Sequence, residues 1–382
     1  MSNVLVVNAG SSSVKLRLVD GSDQVRWSAD LPAGSPDLPA GEPDLAGALD
    51  EADAHGGVDA VGHRFVHGAT VHTDPVVLNA RVEAELRDLT SLAPLHQPAA
   101  LAGVAAVRAA RPRLPQVACF DTAFHASLSP AAATYAVPAS WRDRYRVRRY
   151  GFHGLSYAWA VRRAATMTGR PVDGLRLVIC HLGAGASLAA VRDGRGVDTT
   201  MGFTPLEGLV MATRAGTVDP GLILWLQENV GLSAAEIGDA LEHRSGLLAL
   251  AGTGDMRQVT AGVARGEPAA VLALAVYTHR LRGLIGSMVA AARGLDVLVF
   301  TGGVGEGSAE VRAAAVEGLD FLGLRLDPVR NAAATADADL TAVGAAARTL
   351  VITAREDLEI ARGARSALVT AGGRGSIPGP GH

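Results

Sequence analysis

The run Val4-Leu5-Val6-Val7-Asn8-Ala9-Gly10-Ser11-Ser12-Ser13-Val14-Lys15-Leu16 constrains the fold more than any other stretch of the chain. An apolar run of strand length ends in Asn, Ala and Gly, three hydroxyls follow, and an alternating apolar run resumes. This predicts two strands joined by a tight turn. The turn's amides and hydroxyls and the Lys15 ammonium are groups that can face an anion. The plan recurs at Leu177-Val178-Ile179-Cys180-His181-Leu182-Gly183-Ala184-Gly185-Ala186-Ser187-Leu188. Two such turns could grip one polyphosphate from opposite sides. Either alone reads better as an ordinary glycine-turn hairpin; the pair, taken with the motifs below, favours the anion.

A chain of 382 residues is natural for two domains. Hydrophobic content of 48% with only 4% aromatic predicts a mainly aliphatic core. Basic and acidic residues number 35 and 38, and no basic block of five exists, so no nucleic-acid partner is expected. The densest basic run, Arg142 to Arg149, is interrupted by Asp143, Tyr145 and Val147 and reads as a solvated loop. The start enters a strand pattern without a leader signature, and the Ala-rich segments are broken well short of bilayer-spanning length. The expectation is a soluble cytoplasmic protein with no membrane partner. Cys119 and Cys180 lie in apolar runs, which predicts buried reduced thiols rather than a metal site.

The segment 31–45 is rich in Pro, Gly and Asp and reads as an exposed connection. Residues 371–382 read as a disordered tail. Between them strands (62–66, 116–120, 295–300) alternate with helices (99–110, 156–167, 269–292, and about 308–318). The long helix at 269–292 carries Arg280 and Arg282 on its polar side. The alternation predicts α/β architecture, and one glycine-turn hairpin opening each half suggests two similar domains around a central cleft.

Polar clusters follow the apolar runs, where α/β proteins build their sites. Gly62-His63-Arg64-Phe65-Val66-His67-Gly68 offers an Arg between two His, and Ala93-Pro94-Leu95-His96-Gln97-Pro98 a His between prolines. Phe120-Asp121-Thr122 ends a strand in a carboxylate, and Tyr150-Gly151-Phe152-His153-Gly154 holds a His between glycines. Met201-Gly202-Phe203-Thr204-Pro205-Leu206-Glu207-Gly208 leads to Thr213-Arg214-Ala215-Gly216, and Thr301-Gly302-Gly303-Val304-Gly305-Glu306-Gly307 follows a buried strand as a glycine turn. Each has a bland counterpart: a His beside Gly is commonly a bonded turn residue, and Asp121 could cap a helix. The 301–307 stretch misses the last glycine of a dinucleotide fingerprint, and no P-loop, zincin or nucleophile-elbow motif is present. Arginines, a lysine, histidines and glycine amides with few acids suit phosphoryl transfer, with Asp121 and Glu356 as candidates to organise a metal.

With these motifs in order, the chain resembles the acetate kinase family of the actin-like group, over about residues 4–361. The resemblance implies two actin-like (ribonuclease H-like) domains, with 1–125 plus 359–371 forming the first and 126–358 the nucleotide-binding second, ahead of a 372–382 tail. It implies reversible phosphorylation of acetate by ATP, giving acetyl phosphate and ADP, with Mg²⁺ (Mn²⁺ as an alternative) and a homodimeric state. Asn8 is then expected at the transferring phosphoryl group, in a turn shaped by Ser11, Ser13 and Lys15. Arg64 and Arg214 would clamp the carboxylate and the transition-state charge, and His153 would donate to the phosphoryl oxygens with His96 nearby. Asn8, Asp121 and Glu356 would hold the metal. Val66, Leu95, Phe152 and Pro205 would line the acyl pocket. His181, Gly183, Gly185, Gly302, Gly303, Val304, Gly305, Asp255 and Arg257 would take the nucleotide.

The chain departs from the family pattern at four positions. Ala184 and Gly307 each stand where Asn is usual, Thr217 where Asp is, and Tyr157 where His is. Lost side-chain donors at the phosphate turn predict weaker ATP binding. The rival readings are a kinase for propionate or another short-chain acid, a homologue using pyrophosphate as donor, and an actin-like ATP-binding module without acyl transfer.

Overall fold

Val4–Ala9 (β1) is apolar from Val4 to Val7 because both faces of its sheet are covered. Leu5 and Val7 pack with the helix Leu45–Ala54 on one face, while Val4 and Val6 pack with Leu358, Ile360 and Ala361 on the other. Strands buried on both sides read as continuous apolar runs. The computed structural model of the chain describes residues 2–9, 13–32, 45–94 and 96–374. Two compact units emerge, the first from Met1–Ala126, Gly154–Trp159 and Arg355–His382, the second from Ser127–His153 and Ala160–Ala354. The helix Gly154–Thr168 therefore contributes its first turns to one unit and the remainder to the other.

In the first unit, β1 pairs antiparallel with Ser13–Val19 (β2), which pairs antiparallel with Val25–Pro32 (β3). On its other side β1 runs parallel to Ala60–Phe65 (β4), and the short strand Val76–Val77 (β5) lies antiparallel to Gln116–Phe120 (β6) at the far edge. The order is β3-β2-β1-β4-β6-β5. In the second unit, Arg176–Leu182 (β7), Ala186–Arg192 (β8) and Arg195–Thr199 (β9) form the same meander. Val297–Thr301 (β10), Ala338–Asp339 (β11) and Arg348–Val351 (β12) complete the order β11-β12-β10-β7-β8-β9. Read from the meander, the two sheets have one topology with the same parallel and antiparallel pairings. The long helix Pro268–Ala292 buries Tyr277, Leu281, Ile285 and Met288, and Arg280 is exposed.

Several expectations need correction. Each half opens with a three-stranded meander, not a lone hairpin. The second turn of the first meander is made by Asp20, whose Oδ1 accepts the backbone N–H groups of Ser22 and Gln24. The expected turn at 302–307 is a short helix, Gly302–Gly307. Arg149, expected in a solvated loop, is half-buried and ion-paired to Glu207 at 2.8 Å, and Ala139–Tyr145 before it is helical. Leu31 and Pro32 belong to β3, and 371–374 continue the last helix, Glu356–Arg374. Residues 33–44 and 375–382 lie outside the described ones. Both cysteines are free and buried, and burial pushes the Cys119 thiol up to about 12.

His63 on β4 is buried with Nε2 2.8 Å from Gln116 Oε1, and burial pushes its pKa down to about 4; burial does the same to His67. Both stay neutral in the fold while the unfolded chain would protonate them below about 6.5. Their contribution is fully present above that pH and is lost as pH falls toward 4. Urea unfolding free energy is expected to drop between pH 7 and 5.5, with each histidine contributing up to about 1.4 kcal/mol per pH unit below 6.5. His63→Gln should flatten that slope; an unchanged slope contradicts the assignment.

Candidate active site

The carboxyl ends of parallel strands in the first unit bring four polar side chains together. Asn8 is next to last in β1, Arg64 is next to last in β4, Asp121 directly follows β6, and Glu356 opens the helix Glu356–Arg374. Asp121 is buried and takes Arg64 in a bidentate grip, from Nε at 3.0 Å and Nη2 at 2.5 Å. Arg64 Nη1 donates to Asn8 Oδ1 at 3.2 Å, and Asn8 Nδ2 donates to Glu356 Oε2 at 3.0 Å. Burial pushes the Asp121 carboxyl up; Arg64 pulls it down and Glu356 adds to the rise, leaving it raised. Burial alone would lower the Arg64 pKa, but the charges of Asp121 and Glu356 raise it.

Glycine makes room for this cluster. A Cβ on Gly154 would lie 2.2 Å from the Asp121 carbonyl oxygen, which accepts the Gly154 N–H at 2.9 Å. Val66 is buried just beyond β4. His96 is half-buried at the cap position of the helix Gln97–Ala110. Lys15 is exposed on β2 opposite Asn8, and Ser13 begins that strand. Ser11 and Leu95 lie outside the described residues.

The donor set of Asn8, Asp121 and Glu356 fits a hard cation. It offers two carboxylates and an amide, and the raised Asp121 beside Glu356 is what a divalent charge would relieve. Among the described residues, no cluster of three or more His, Cys, Asp or Glu side chains could hold a metal unaided. Phosphate oxygens and water would have to complete the shell, as is usual for Mg²⁺.

The second unit gathers a different set. His153 takes a left-handed backbone conformation (φ 58°), and its Nδ1 lies 2.8 Å from Ser187 Oγ. Its ring stacks on His181 at 4.2 Å between centroids. His181 and Ser187 are cross-strand partners on β7 and β8, so the hairpin itself places both. Arg214 is half-buried, with Nη1 3.3 Å from the Pro205 carbonyl oxygen and 3.9 Å from Met211 Sδ. Among the described residues it forms no ion pair, and burial lowers its pKa, partly offset by the charge of Glu242. A Cβ on Gly185 would lie 3.4 Å from Arg214 Nη1 and 3.7 Å from His153 Nε2, so the glycine turn, the imidazole and the guanidinium share one space. The Ala184 carbonyl accepts the Ala212 N–H at 3.0 Å, which ties the turn to the Arg214 loop. Phe152 is buried and Pro205 half-buried.

Gly302 (φ 77°) opens the helix Gly302–Gly307, and a Cβ there would lie 2.8 Å from the Leu182 carbonyl oxygen. Gly303 faces open space, Gly305 is buried and Val304 half-buried. Two braces of this helix were not anticipated. Glu306 Oε1 accepts the N–H groups of Gly302 at 2.9 Å and Ala354 at 3.0 Å. The buried Arg312 donates to the carbonyls of Gly305 and Glu306 at 3.0 and 2.7 Å. Glu306 was visible in its motif, but nothing local marks Arg312, since an arginine within a helix reads as solvent-facing. Asp255 caps the helix Met256–Ala264 and pairs with the exposed Arg257 at 2.7 Å. Of the four departures, Tyr157 is fully buried against Phe124 and His125, and the Thr217 hydroxyl accepts the Gly208 N–H at 3.1 Å.

The sequence pattern of the Acetokinase family matches residues 46–362. The acetate kinase of Leifsonia xyli subsp. xyli (strain CTCB07) is 45% identical over an alignment covering 96% of this chain and 99% of that protein. The crystal structure of Porphyromonas gingivalis acetate kinase superposes with a TM-score of 0.88 at 34% identity, covering 96% of this chain and 100% of that one. A propionate kinase from Francisella tularensis subsp. tularensis SCHU S4 gives 0.86 at 34% identity, covering 95% and 99%. The α/β fold with its paired six-stranded sheets is the actin-like architecture of these enzymes, and the chain belongs to the Acetokinase family.

Proposed function

We propose a division of labour for the ATP-dependent phosphorylation of acetate that this chain carries out. An acetate oxygen attacks the γ-phosphorus of ATP in line, the bond to the β,γ-bridging oxygen breaks, and ADP leaves with the electron pair. Acetate is already ionised near neutral pH, so the step needs no general base. It needs cationic groups to orient the anion and to offset charge on the transferring group.

The observation that carries this reading is Arg214. A half-buried guanidinium without an acidic partner among the described residues, beside His153 and a glycine turn, is suited to an incoming anion. Arg214 holds the substrate carboxylate and the transition-state charge, and Arg64 shares that work. His153, aligned by Ser187 and His181, donates to an equatorial phosphoryl oxygen, with His96 close by. Asn8 contacts the phosphoryl group, with Lys15 across from it on β2 and Ser13 at the start of that strand; Ser11, outside the described residues, is assigned to the same phosphate contact. Asn8, Asp121 and Glu356 would hold Mg²⁺ or Mn²⁺, which when bound would add positive charge beside the phosphates. His181, Gly183, Gly185 and Gly302 to Gly305 receive the nucleotide, with Asp255 and Arg257 at the nucleoside. The family resemblance assigns the acyl group to Val66, Phe152 and Pro205, and to Leu95, which lies outside the described residues.

Homodimerisation is part of the same proposal. Leu222, Leu224, Trp225, Val230 and Leu272 are exposed apolar side chains of the second unit, and such surfaces favour self-association. Among the described residues no helix is long and apolar enough to cross a membrane, and the cytoplasm is the proposed location.

Trapping acyl phosphate as its hydroxamate is the direct test. Arg64→Ala and Arg214→Ala should each lower kcat by about 10²–10³-fold; ATP binding without acyl phosphate in the wild type would leave only a binding module. Comparing kcat/KM across acids should place acetate first and propionate behind it, since each added methylene changes discrimination by about 1–3 kcal/mol; a maximum at butyrate contradicts the pocket. Restoring the amide with Ala184→Asn should lower KM for ATP by about tenfold or more, the value of one hydrogen bond to a charged group. An unchanged KM would overturn the expectation that Ala184 weakens nucleotide binding.

A further inference from the structure

Tyr135, Arg149 and Glu207 have no task in the reaction as assigned above, yet they form a closed set behind the loop 201–208. Arg149 Nη2 donates to Glu207 Oε1 at 2.8 Å, and the Tyr135 hydroxyl donates to Glu207 Oε2. The same hydroxyl accepts the Phe203 N–H at 3.0 Å. Arg149 Nη1 donates to the carbonyls of Met201 at 3.1 Å and Thr200 at 3.4 Å, and its guanidinium lies 5.3 Å over the Tyr135 ring. Both ends of the loop are thus bound to one cation and one phenol. Gly202 permits this closure, because a Cβ there would fall 1.8 Å from Glu207 Oε2 and 2.0 Å from the Tyr135 hydroxyl.

What the loop carries gives the set its meaning. The Pro205 carbonyl, between the two pinned ends, is the oxygen that anchors Arg214 at 3.3 Å. The Gly202 carbonyl accepts the N–H groups of Tyr150 and Gly151 at 3.0 and 3.4 Å, directly before Phe152 and His153. One hydrogen-bonded set therefore reaches the anchor of the arginine, the apolar Phe152 and Pro205, and the backbone leading to the histidine. Charge-assisted hydrogen bonds are short and directional, and those of this half-buried set are partly shielded from water; small displacements of a substrate-orienting group cost large rate factors.

We propose that Tyr135, Arg149 and Glu207 are positioning residues that fix Pro205 and Arg214 relative to each other and thereby set the enzyme's preference for acetate over longer acids. This rests on the role given to Arg214 above. Tyr135→Phe removes the link from Glu207 to Phe203 while keeping the ring, and Glu207→Gln removes the charge while keeping the shape. In Tyr135→Phe, KM for acetate should rise about tenfold, and the acetate-to-propionate ratio of kcat/KM should fall several-fold. KM for ATP should stay within about twofold, and Glu207→Gln should fall between this variant and the wild type. A merely structural role would instead lower the active fraction, reducing kcat equally for both acids with every KM unchanged. The proposal is overturned if both variants keep acetate KM and acid preference within about twofold, or if ATP KM rises by the same factor. Arg214→Ala in the same assays separates the two levels: no change in acetate KM there would remove the underlying reading. A large change there with silent Tyr135→Phe and Glu207→Gln variants would remove only the positioning role. If Tyr135→Phe fails to fold, Glu207→Gln decides alone.

Discussion

A guanidinium drawn out of bulk water needs acceptors for its N–H groups and gains most from an anion, and two arginines of this chain are met in different ways. Arg64 finds its anion within the protein, in the bidentate grip of Asp121 with Glu356 nearby. Arg214 receives a backbone carbonyl and a thioether. Removing one member of a buried ion pair is strongly destabilising, so the first arrangement is part of the fold's own stability. The second leaves positive charge in a partly dry place, where burial already disfavours it. A bound carboxylate or phosphate would reverse that penalty. The interaction the folded chain lacks at Arg214 is the one a substrate would supply in the role proposed for it.

How far the sequence revealed this arrangement depended on where each partner lay. The apolar strands β1, β6 and β10 were legible because burial on both faces forces an uninterrupted apolar run. The motif residues were legible because glycine, histidine and arginine in short loops after strands stand out locally. The third strand of each meander was missed because Val25–Pro32 and Arg195–Thr199 carry mixed polar residues at half-covered positions. The helix Gly302–Gly307 was missed because glycines disfavour helix; it is held by Glu306, which also reaches Ala354, and by a buried Arg312 that reads as solvent-facing in the sequence. The link between Asn8 and Glu356 spans 348 positions, and only the folded sheet and its covering helix bring the two together. The same holds for Tyr135 and Glu207, which are 72 positions apart.

The repeated topology explains how one architecture carries two kinds of chemistry. β1 corresponds to β7, β4 to β10, and β6 to β12 in the strand order. Asn8 and His181 each stand next to last in the leading strand of their sheets, facing Lys15 and Ser187 across their hairpins. At the next strand the halves diverge: β4 carries Arg64 next to its end, whereas β10 carries the buried Phe300 and then opens into Gly302 and Gly303. After β6 comes Asp121, a buried carboxylate; after β12 comes the buried Ile352. The first sheet's carboxyl edge is therefore loaded with charge, and the second's carries no charged carboxylate or guanidinium at these positions and opens into glycine backbone. Carboxylates at a strand end suit a metal, while a bare glycine backbone leaves room for the bulk of a nucleotide. The same scaffold with the two edges loaded alike would offer either two metal sites or two nucleotide cradles. The proposed division of labour in phosphoryl transfer uses one of each, and the divergence falls at the strand ends where that difference has the most effect.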